Sequence, residues 1–228
     1  MSTLRIIATP IGNLEDITLR ARRVLAEADF ILCEDTRVTR KLLDNYQIKT
    51  PTISYHQHSG VLKIDKIIAL LRSGKNLALV TDAGTPGISD PGGQLVSLVR
   101  TALGNEVQIE SVPGVSALTA AVSIAGSGFD RFLFLGFLPH KKGRQTMLKE
   151  IIASRHSVVI YESKHRIIKL LAELAALGTE SGALDVMVAR ELTKLHESFY
   201  KGDPETISSA LKNDPHNLKG EFVVLIRK

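Results

Sequence analysis

In the first half of the chain, short apolar runs at 4–8, 30–33, 77–80 and 107–112 alternate with segments whose apolar residues recur at helical spacing. This alternation constrains the fold more than any other feature. Ile17, Ala21, Val24, Leu25 and Ala28 share one helical face, with Arg20, Arg23 and Glu27 off it. Leu42, Leu43 and Tyr46 mark a second helix. Ile64, Ile67, Ile68 and Leu71 mark a third, which Gly74 is expected to stop. A strand–helix–strand–helix rhythm needs crossovers, and so predicts an α/β fold with a mainly parallel sheet and helices on both faces.

The pattern changes after Gly126-Ser127-Gly128. Runs at 132–138, 158–161, 185–189 and 222–226 read as strands, while helical spacing is evident only at 145–153 and 167–177. Fewer helices between strands predicts a mixed sheet. We therefore expect two α/β domains, residues 1–127 and 128–228, a division that a 228-residue chain can support.

Three segments that follow strands carry the chemistry. Thr81-Asp82-Ala83-Gly84-Thr85-Pro86-Gly87-Ile88-Ser89-Asp90-Pro91-Gly92-Gly93 packs four glycines and two prolines into thirteen residues. Glycine lets backbone approach a ligand, proline fixes the path, and the carboxyl edge of an open α/β sheet is where ligands bind. Asp90-Pro91 also reads as an N-cap followed by proline in the first helical turn. Ser111-Val112-Pro113-Gly114-Val115-Ser116-Ala117 opens a helix rich in small residues, whose first N–H groups would take a polar ligand atom. Thr9-Pro10-Ile11-Gly12-Asn13-Leu14 stands where a dinucleotide-binding protein carries G-x-G-x-x-G, but it offers one glycine, and Pro10 removes a donor. That disfavours a nicotinamide or flavin cofactor. The absence of G-x-x-x-x-G-K-[ST] disfavours nucleoside triphosphate chemistry.

Charged clusters follow three further apolar runs: Glu34-Asp35-Thr36-Arg37, Tyr161-Glu162-Ser163-Lys164-His165-Arg166 and Ala189-Arg190-Glu191-Leu192-Thr193-Lys194. Taken singly, each reads as surface ion pairs. At corresponding strand ends they point to sites. No metal is expected: His56-Gln57-His58 is an isolated pair of histidines, and the single cysteine, Cys33, lies in an apolar run as a buried small hydrophobe. Residues 1–9 are too short and too soon interrupted for a signal peptide, and no apolar run approaches the roughly 20 residues that span a bilayer. A cytoplasmic protein is expected. The net charge of +5 leans toward a polyanionic partner.

At these loops the sequence resembles the tetrapyrrole-methylase superfamily over nearly its whole length. Gly84-Thr85-Pro86 looks like an expanded form of the superfamily's Gly-Asp-Pro loop, and Pro113-Gly114-Val115-Ser116-Ala117 resembles its Pro-Gly-x-Ser loop. Tyr161-Glu162-Ser163, His165-Arg166 and Ala189-Arg190-Glu191-Leu192-Thr193-Lys194 match second-domain motifs. Residues 9–17, 34–37, 81–92 and Gly136-Phe137-Leu138-Pro139 together resemble the branch that methylates small-subunit ribosomal RNA, although Gly87 stands where a larger apolar residue is common. The resemblance implies S-adenosylmethionine folded into a cleft between two domains, a homodimer, and methylation of the 2′-oxygen of a cytidine ribose in the decoding region of 16S rRNA within the small ribosomal subunit.

A ribose hydroxyl is a weak acid, so the transfer needs a base or a strong field. Candidate bases are Glu34, Asp35, His58 and Glu162, with the Glu34-Asp35 pair favoured by its place at a strand end. Expected contacts to the donor are Pro10, Asp82, Gly84, Thr85, Pro86, Ile88, Ser89, Pro113, Gly114, Ser116 and Ala117. Expected RNA contacts are Arg20, Arg22, Arg23, Arg37, Arg40 and Lys41 in the first domain, and Lys141, Lys142, Arg144, Lys164 and Arg166 in the second. The rival readings are a methylase of the same architecture acting on a tetrapyrrole or a protein, and a non-catalytic RNA-binding assembly factor.

Overall fold

The computed structural model describes residues 1–56, 58–181 and 184–228. By internal contacts the chain divides into two units, Met1–Ser116 and Ala117–Lys228. The sequence-based boundary after residue 127 falls at the far end of the helix Ala117–Ala125, which groups with the second unit.

The first unit holds strands β1 (Ser2–Ile7), β2 (Phe30–Cys33), β3 (Thr52–Ser54), β4 (Leu77–Leu79) and β5 (Val107–Val112), in sheet order β3-β2-β4-β1-β5 with every pairing parallel. Its helices are α1 (Leu19–Glu27), α2 (Thr36–Asn45), α3 (Val61–Arg72) and α4 (Gly92–Leu103). The crossovers through α1 and α2 run outward across the sheet toward β3, and those through α3 and α4 run back toward β5. Right-handed connections then put the two pairs of helices on opposite faces. The side chains agree. Ile7, Ile31, Cys33, Ala78 and Val80 pack with α1 and α2, while Leu4, Leu32, Leu77 and Leu79 pack with α3 and α4. Alternate residues of each strand face alternate layers, so both layers bury apolar side chains and the strands read as continuous apolar runs.

Local signals set the ends. Thr18 caps α1 by accepting from Ala21 N at 3.0 Å. Gly74, at φ +87°, closes α3 as expected, its N–H donating to Leu71 O. Helix α4 starts one residue later than expected: Pro91 is the N-cap position. The Asp90 carboxylate accepts from Gly92 N at 2.7 Å and also from Gly87 N, because it closes the preceding loop as well as capping the helix.

The second unit holds α5 (Ala117–Ala125), β6 (Phe132–Phe137), α6 (Arg144–Ala153), β7 (Ser157–Ser163), α7 (Ile167–Ser181), β8 (Asp185–Arg190), β9 (Ser198–Gly202), α8 (Pro204–Lys212) and β10 (Glu221–Arg227). Its sheet, ordered β6-β7-β10-β8-β9, is mixed: β6 and β7 are parallel, and the other pairs antiparallel. Helices α6, α7 and α8 cover one face through a core that includes Leu148, Leu170, Leu171, Leu174, Ile207 and Leu211. Among the described residues, no helix is long and apolar enough to cross a membrane.

Candidate active site

In the first sheet, the connection leaving β2 turns toward one edge and the connection leaving β4 toward the other. Adjacent strands whose exits diverge leave a crevice at their carboxyl ends, where open α/β sheets take ligands. Here that crevice falls where Glu34-Asp35 leaves β2 and Thr81-Asp82 leaves β4. The two are joined directly: the Asp35 backbone N–H donates to Asp82 Oδ1 at 3.1 Å.

Beside the crevice, the three expected loops are tied together through backbone groups. Thr9 and Gly84 exchange both main-chain hydrogen bonds, N to O at 2.9 Å and 3.0 Å. The Thr9 hydroxyl donates to Thr81 O at 3.1 Å. The Thr85 hydroxyl donates to Val115 O at 2.9 Å, and Ala8 N donates to Val112 O at 3.2 Å. The loops at Thr9–Gly12, Thr81–Gly93 and Val112–Ser116 therefore form one connected rim. Glycines permit the close approach. Gly84 has φ +84°, and a Cβ there would meet Ile11 Cγ2 at 3.4 Å. A Cβ on Gly114 would sit 3.0 Å from that of Ala8. Ser89 holds φ +64° without being glycine, a strained backbone of the kind that clusters at functional sites.

The carboxylates at this edge differ in kind. Asp35 is the N-cap of α2, accepting from Arg37 N at 2.8 Å and from the Arg37 guanidinium at 2.6 Å. Those bonds lower its pKa to about 2, which makes it a poor proton acceptor. Glu34 is pushed the other way, first by partial burial and then by the charges of Asp82 and Asp90, with His56 opposing. Asp82 is also raised, by loss of hydration and then by the Asp35 charge, although the Asp35 N–H works against both. Of the two histidines beyond β3, His56 opposes the rise at Glu34. The sequence reading named His58, whose N–H donates to His56 Nδ1 at 3.2 Å. Gln57 between them lies outside the described residues.

In the second unit, three of the expected residues, Arg144, Glu162 and Arg166, meet in one cluster. Glu162 is buried, with Arg166 Nε 2.7 Å from Oε1, Arg144 Nη1 3.7 Å from Oε2, and Ser163 N donating to Oε1. Its two oxygens thus face guanidinium groups inside the unit. Arg144 is itself buried and donates to Glu173 and to Pro139 O, and Arg166 donates to Leu138 O. Arg144 is buried and Arg166 half-buried, so both guanidinium groups are engaged within the unit. Lys141, Lys142 and Lys164 are exposed. One of the free N–H groups expected at the start of α5 is also occupied, since Leu118 N donates to the Tyr161 hydroxyl at 3.1 Å.

The expected RNA-contact residues of the first unit are exposed, but several have partners. Arg20 donates to Ser111 O at 2.8 Å, Arg23 pairs with Glu27, Arg37 pairs with Asp35, and Arg22 lies over the Tyr46 ring. Arg20 and Arg23 line a hollow of about 440 Å³ with Arg5, Glu27 and Glu110, whose carboxylates offset much of the positive charge. Arg40 and Lys41 lie on α2, both exposed.

The family model for tetrapyrrole (corrin/porphyrin) methylases matches residues 3–208. Among curated proteins, ribosomal RNA small subunit methyltransferase I of Thermotoga maritima is 42% identical, over 99% of this chain and 98% of its own length. The protein of that name from Synechocystis is 44% identical, over 99% of this chain and 79% of its own. Diphthine synthase superposes with a TM-score of 0.72 at 14% identity, covering 100% of this chain and 90% of the other. Uroporphyrin-III C-methyltransferase from Thermus thermophilus, in complex with S-adenyl homocysteine, gives a TM-score of 0.65 at 18% identity, covering 99% and 97%. Those two likenesses concern the fold. With a family model spanning most of the residues and relatives 42% and 44% identical over 99% of its length, the chain belongs to the tetrapyrrole (corrin/porphyrin) methylase family.

Proposed function

We propose that this chain transfers a methyl group from S-adenosylmethionine to the 2′-oxygen of a cytidine ribose in the decoding region of 16S rRNA. The observation that carries this reading is the 42% identity, over nearly the full length of both chains, with a relative named for small-subunit ribosomal RNA methylation. A homodimer is the expected assembly, to be read by analytical ultracentrifugation.

The rim of the first unit fits such a donor. Gly84 and Gly114 let the loops lie close together, Ile88 supplies exposed apolar surface beside them, and the Asp82 carboxylate is available to accept from hydroxyls. Pro10, Gly84, Ile88, Ser89, Pro113, Gly114, Ser116 and Ala117 would line the donor, with Asp82 as its polar anchor. Thr85 and Pro86 hold the loop's path, Thr85 through its bond to Val115 O. When bound, the donor supplies an electrophilic methyl group on a sulfonium. The residues of the chain align the acceptor oxygen with that methyl and remove the hydroxyl proton.

Glu34 is the base in this scheme. Its carboxyl is raised by burial and by neighbouring carboxylates, which brings it closer to working pH than an ordinary glutamate, and so makes it the better proton acceptor. Asp82 and Asp90 keep it raised, and Asp35 anchors α2 beside it. In the complex, a Glu34 oxygen would take the proton of the ribose hydroxyl, and the bound donor would supply the methyl group.

The test maps ribose methylation on 16S rRNA with and without the chain, on naked RNA and on assembled small subunits. One new 2′-O-methylcytidine in the decoding region is expected. Methylation of a tetrapyrrole or protein instead would replace this substrate. Absence of S-adenosylmethionine binding by calorimetry would turn the reading to a non-catalytic assembly factor. For the base, an alanine scan of Glu34, Asp35 and His58 in single turnover should slow the Glu34 variant by about a hundredfold or more.

A further inference from the structure

Four charged side chains meet inside the second unit. Arg144 is 3% exposed and Glu162 is fully buried, with Arg166 and Glu173 largely covered. Arg144 Nη2 donates to Glu173 Oε2 at 2.7 Å, and Arg144 Nη1 faces Glu162 Oε2 at 3.7 Å. Arg166 Nε lies 2.7 Å from Glu162 Oε1. The same two arginines hold the carbonyls where the chain leaves β6: Arg166 Nη1 donates to Leu138 O at 2.8 Å, and Arg144 Nη1 to Pro139 O at 3.3 Å. At the other end of that segment, Gly143 turns at φ +83° and Arg144 opens α6. The short stretch 139–143 is therefore pinned at both ends. Between the pins, His140, Lys141 and Lys142 are exposed.

Stability alone does not account for such a quartet. Charges taken from water gain little or nothing over well-packed apolar residues of the same size, although removing one partner is costly. What the quartet does determine is the path of the loop, because two of its members also hold the loop's carbonyls. A loop fixed in advance loses less conformational freedom when its lysines meet phosphate.

We propose that Arg144, Glu162, Arg166 and Glu173 form a buried clamp that fixes the 139–143 loop as a phosphate-binding element for ribosomal RNA. Lys141 and Lys142 make the contacts, and Arg144 is their positioning residue. This rests on the RNA reading given under the proposed function. The clamp adds to that reading a place where the RNA backbone is held and a reason why buried arginines matter to it.

The test measures binding of purified small ribosomal subunits to the full chain across a range of potassium chloride. The variants are K141A/K142A, R144M, R144K and R144M combined with K141A/K142A. K141A/K142A is expected to weaken binding about tenfold or more and to reduce the salt slope by roughly 1.4 to 1.8, the share of two phosphate contacts. R144M should lose a similar factor and reduce the slope although it removes no exposed charge, with S-adenosylmethionine affinity unchanged by calorimetry. In the K141A/K142A background, R144M should have almost no further effect. Should R144M not fold, R144K, which keeps the charge but not the forked reach to Glu173 and Pro139, gives the same comparison. A merely structural Arg144 would lower the melting temperature and leave the slope alone. That result, or effects that simply multiply, overturns the clamp while leaving the RNA reading intact. A wild-type chain that binds no subunit at any salt overturns both.

Discussion

Glu162 and Arg190 stand in one row of the second sheet, paired from either side with Phe222 of the central strand. Both are buried and charged, and both lie at the end of a strand whose other inward residues are apolar. They are not each other's partner. Glu162 meets two arginines, whereas Arg190 donates to carbonyls, reaching Lys219 O and His196 O at 2.8 Å and His216 O at 2.6 Å. One guanidinium thus gathers the loops on both sides of its own strand end.

Arg190→Met should therefore leave several carbonyls without a donor and destabilise the chain by about 3 kcal/mol, summed from the usual cost of unsatisfied buried acceptors. Urea denaturation measures it. Arg190→Lys, with fewer donors and no fork, should fall between that variant and wild type.

Gly114→Ala tests the rim. Its Cβ would lie 3.0 Å from the Cβ of Ala8, and both belong to backbone that cannot rotate away. The expected cost is about 1–3 kcal/mol, as for other overpacked sites, with a tenfold or larger loss of S-adenosylmethionine affinity by calorimetry. Gly60→Ala is the control. Nothing lies within 4 Å of a Cβ there and φ is −68°, so donor affinity should hold, with at most about 1 kcal/mol lost because alanine is a poorer N-cap than glycine.

The pH dependence of Glu34 has a definite sign. Its folded-state pKa is raised, so the protonated form is favoured by the fold. Wild type then loses stability as pH rises from the ordinary glutamate value of about 4.3 through the raised one. Glu34→Gln, which never ionises, should melt higher than wild type at neutral pH. That advantage should disappear as pH falls to the point where both side chains are neutral. The same variant should be the slow one in methyl transfer, and melting curves with single-turnover rates at several pH values read both.

Asp35 runs the other way. Its pKa is lowered to about 2 by the Arg37 bonds, so its support for α2 is fully present above the ordinary aspartate range and is lost as pH falls toward that value. Asp35→Ala should lower the melting temperature at neutral pH more than Asp35→Asn, because asparagine still accepts the capping bond from Arg37 N. Neither should slow methyl transfer as Glu34→Gln does.

Much of the fold was legible in the sequence because parallel strands buried on both faces leave unbroken apolar runs. The three backbone-rich loops stood out for a similar reason, since glycine and proline mark where the main chain must take an unusual path. What escaped had no such mark. β3 is three residues with a threonine and a serine, and β9 is an edge strand with Phe199 and Lys201 facing out. α8 buries only one side of a serine- and lysine-bearing segment. Arg144 and Arg166 read as RNA contacts and Glu162 as a candidate base because nothing local shows that a charge is buried. The partner that makes burial tolerable for Arg144 is Glu173, 29 residues along the chain. The bearing of His56 on Glu34 likewise arises from two neighbouring strands and not from adjacency in sequence.

The mutual bonding of Thr9 and Gly84 bears on how a ligand is captured. Each residue's amide and carbonyl is taken up by the other, so the loops keep their shape with nothing between them and water. A molecule arriving there has no coil to order. Its heat-capacity change should reflect only the apolar surface it covers, and its capture rate should vary little with temperature beyond the viscosity of the solvent.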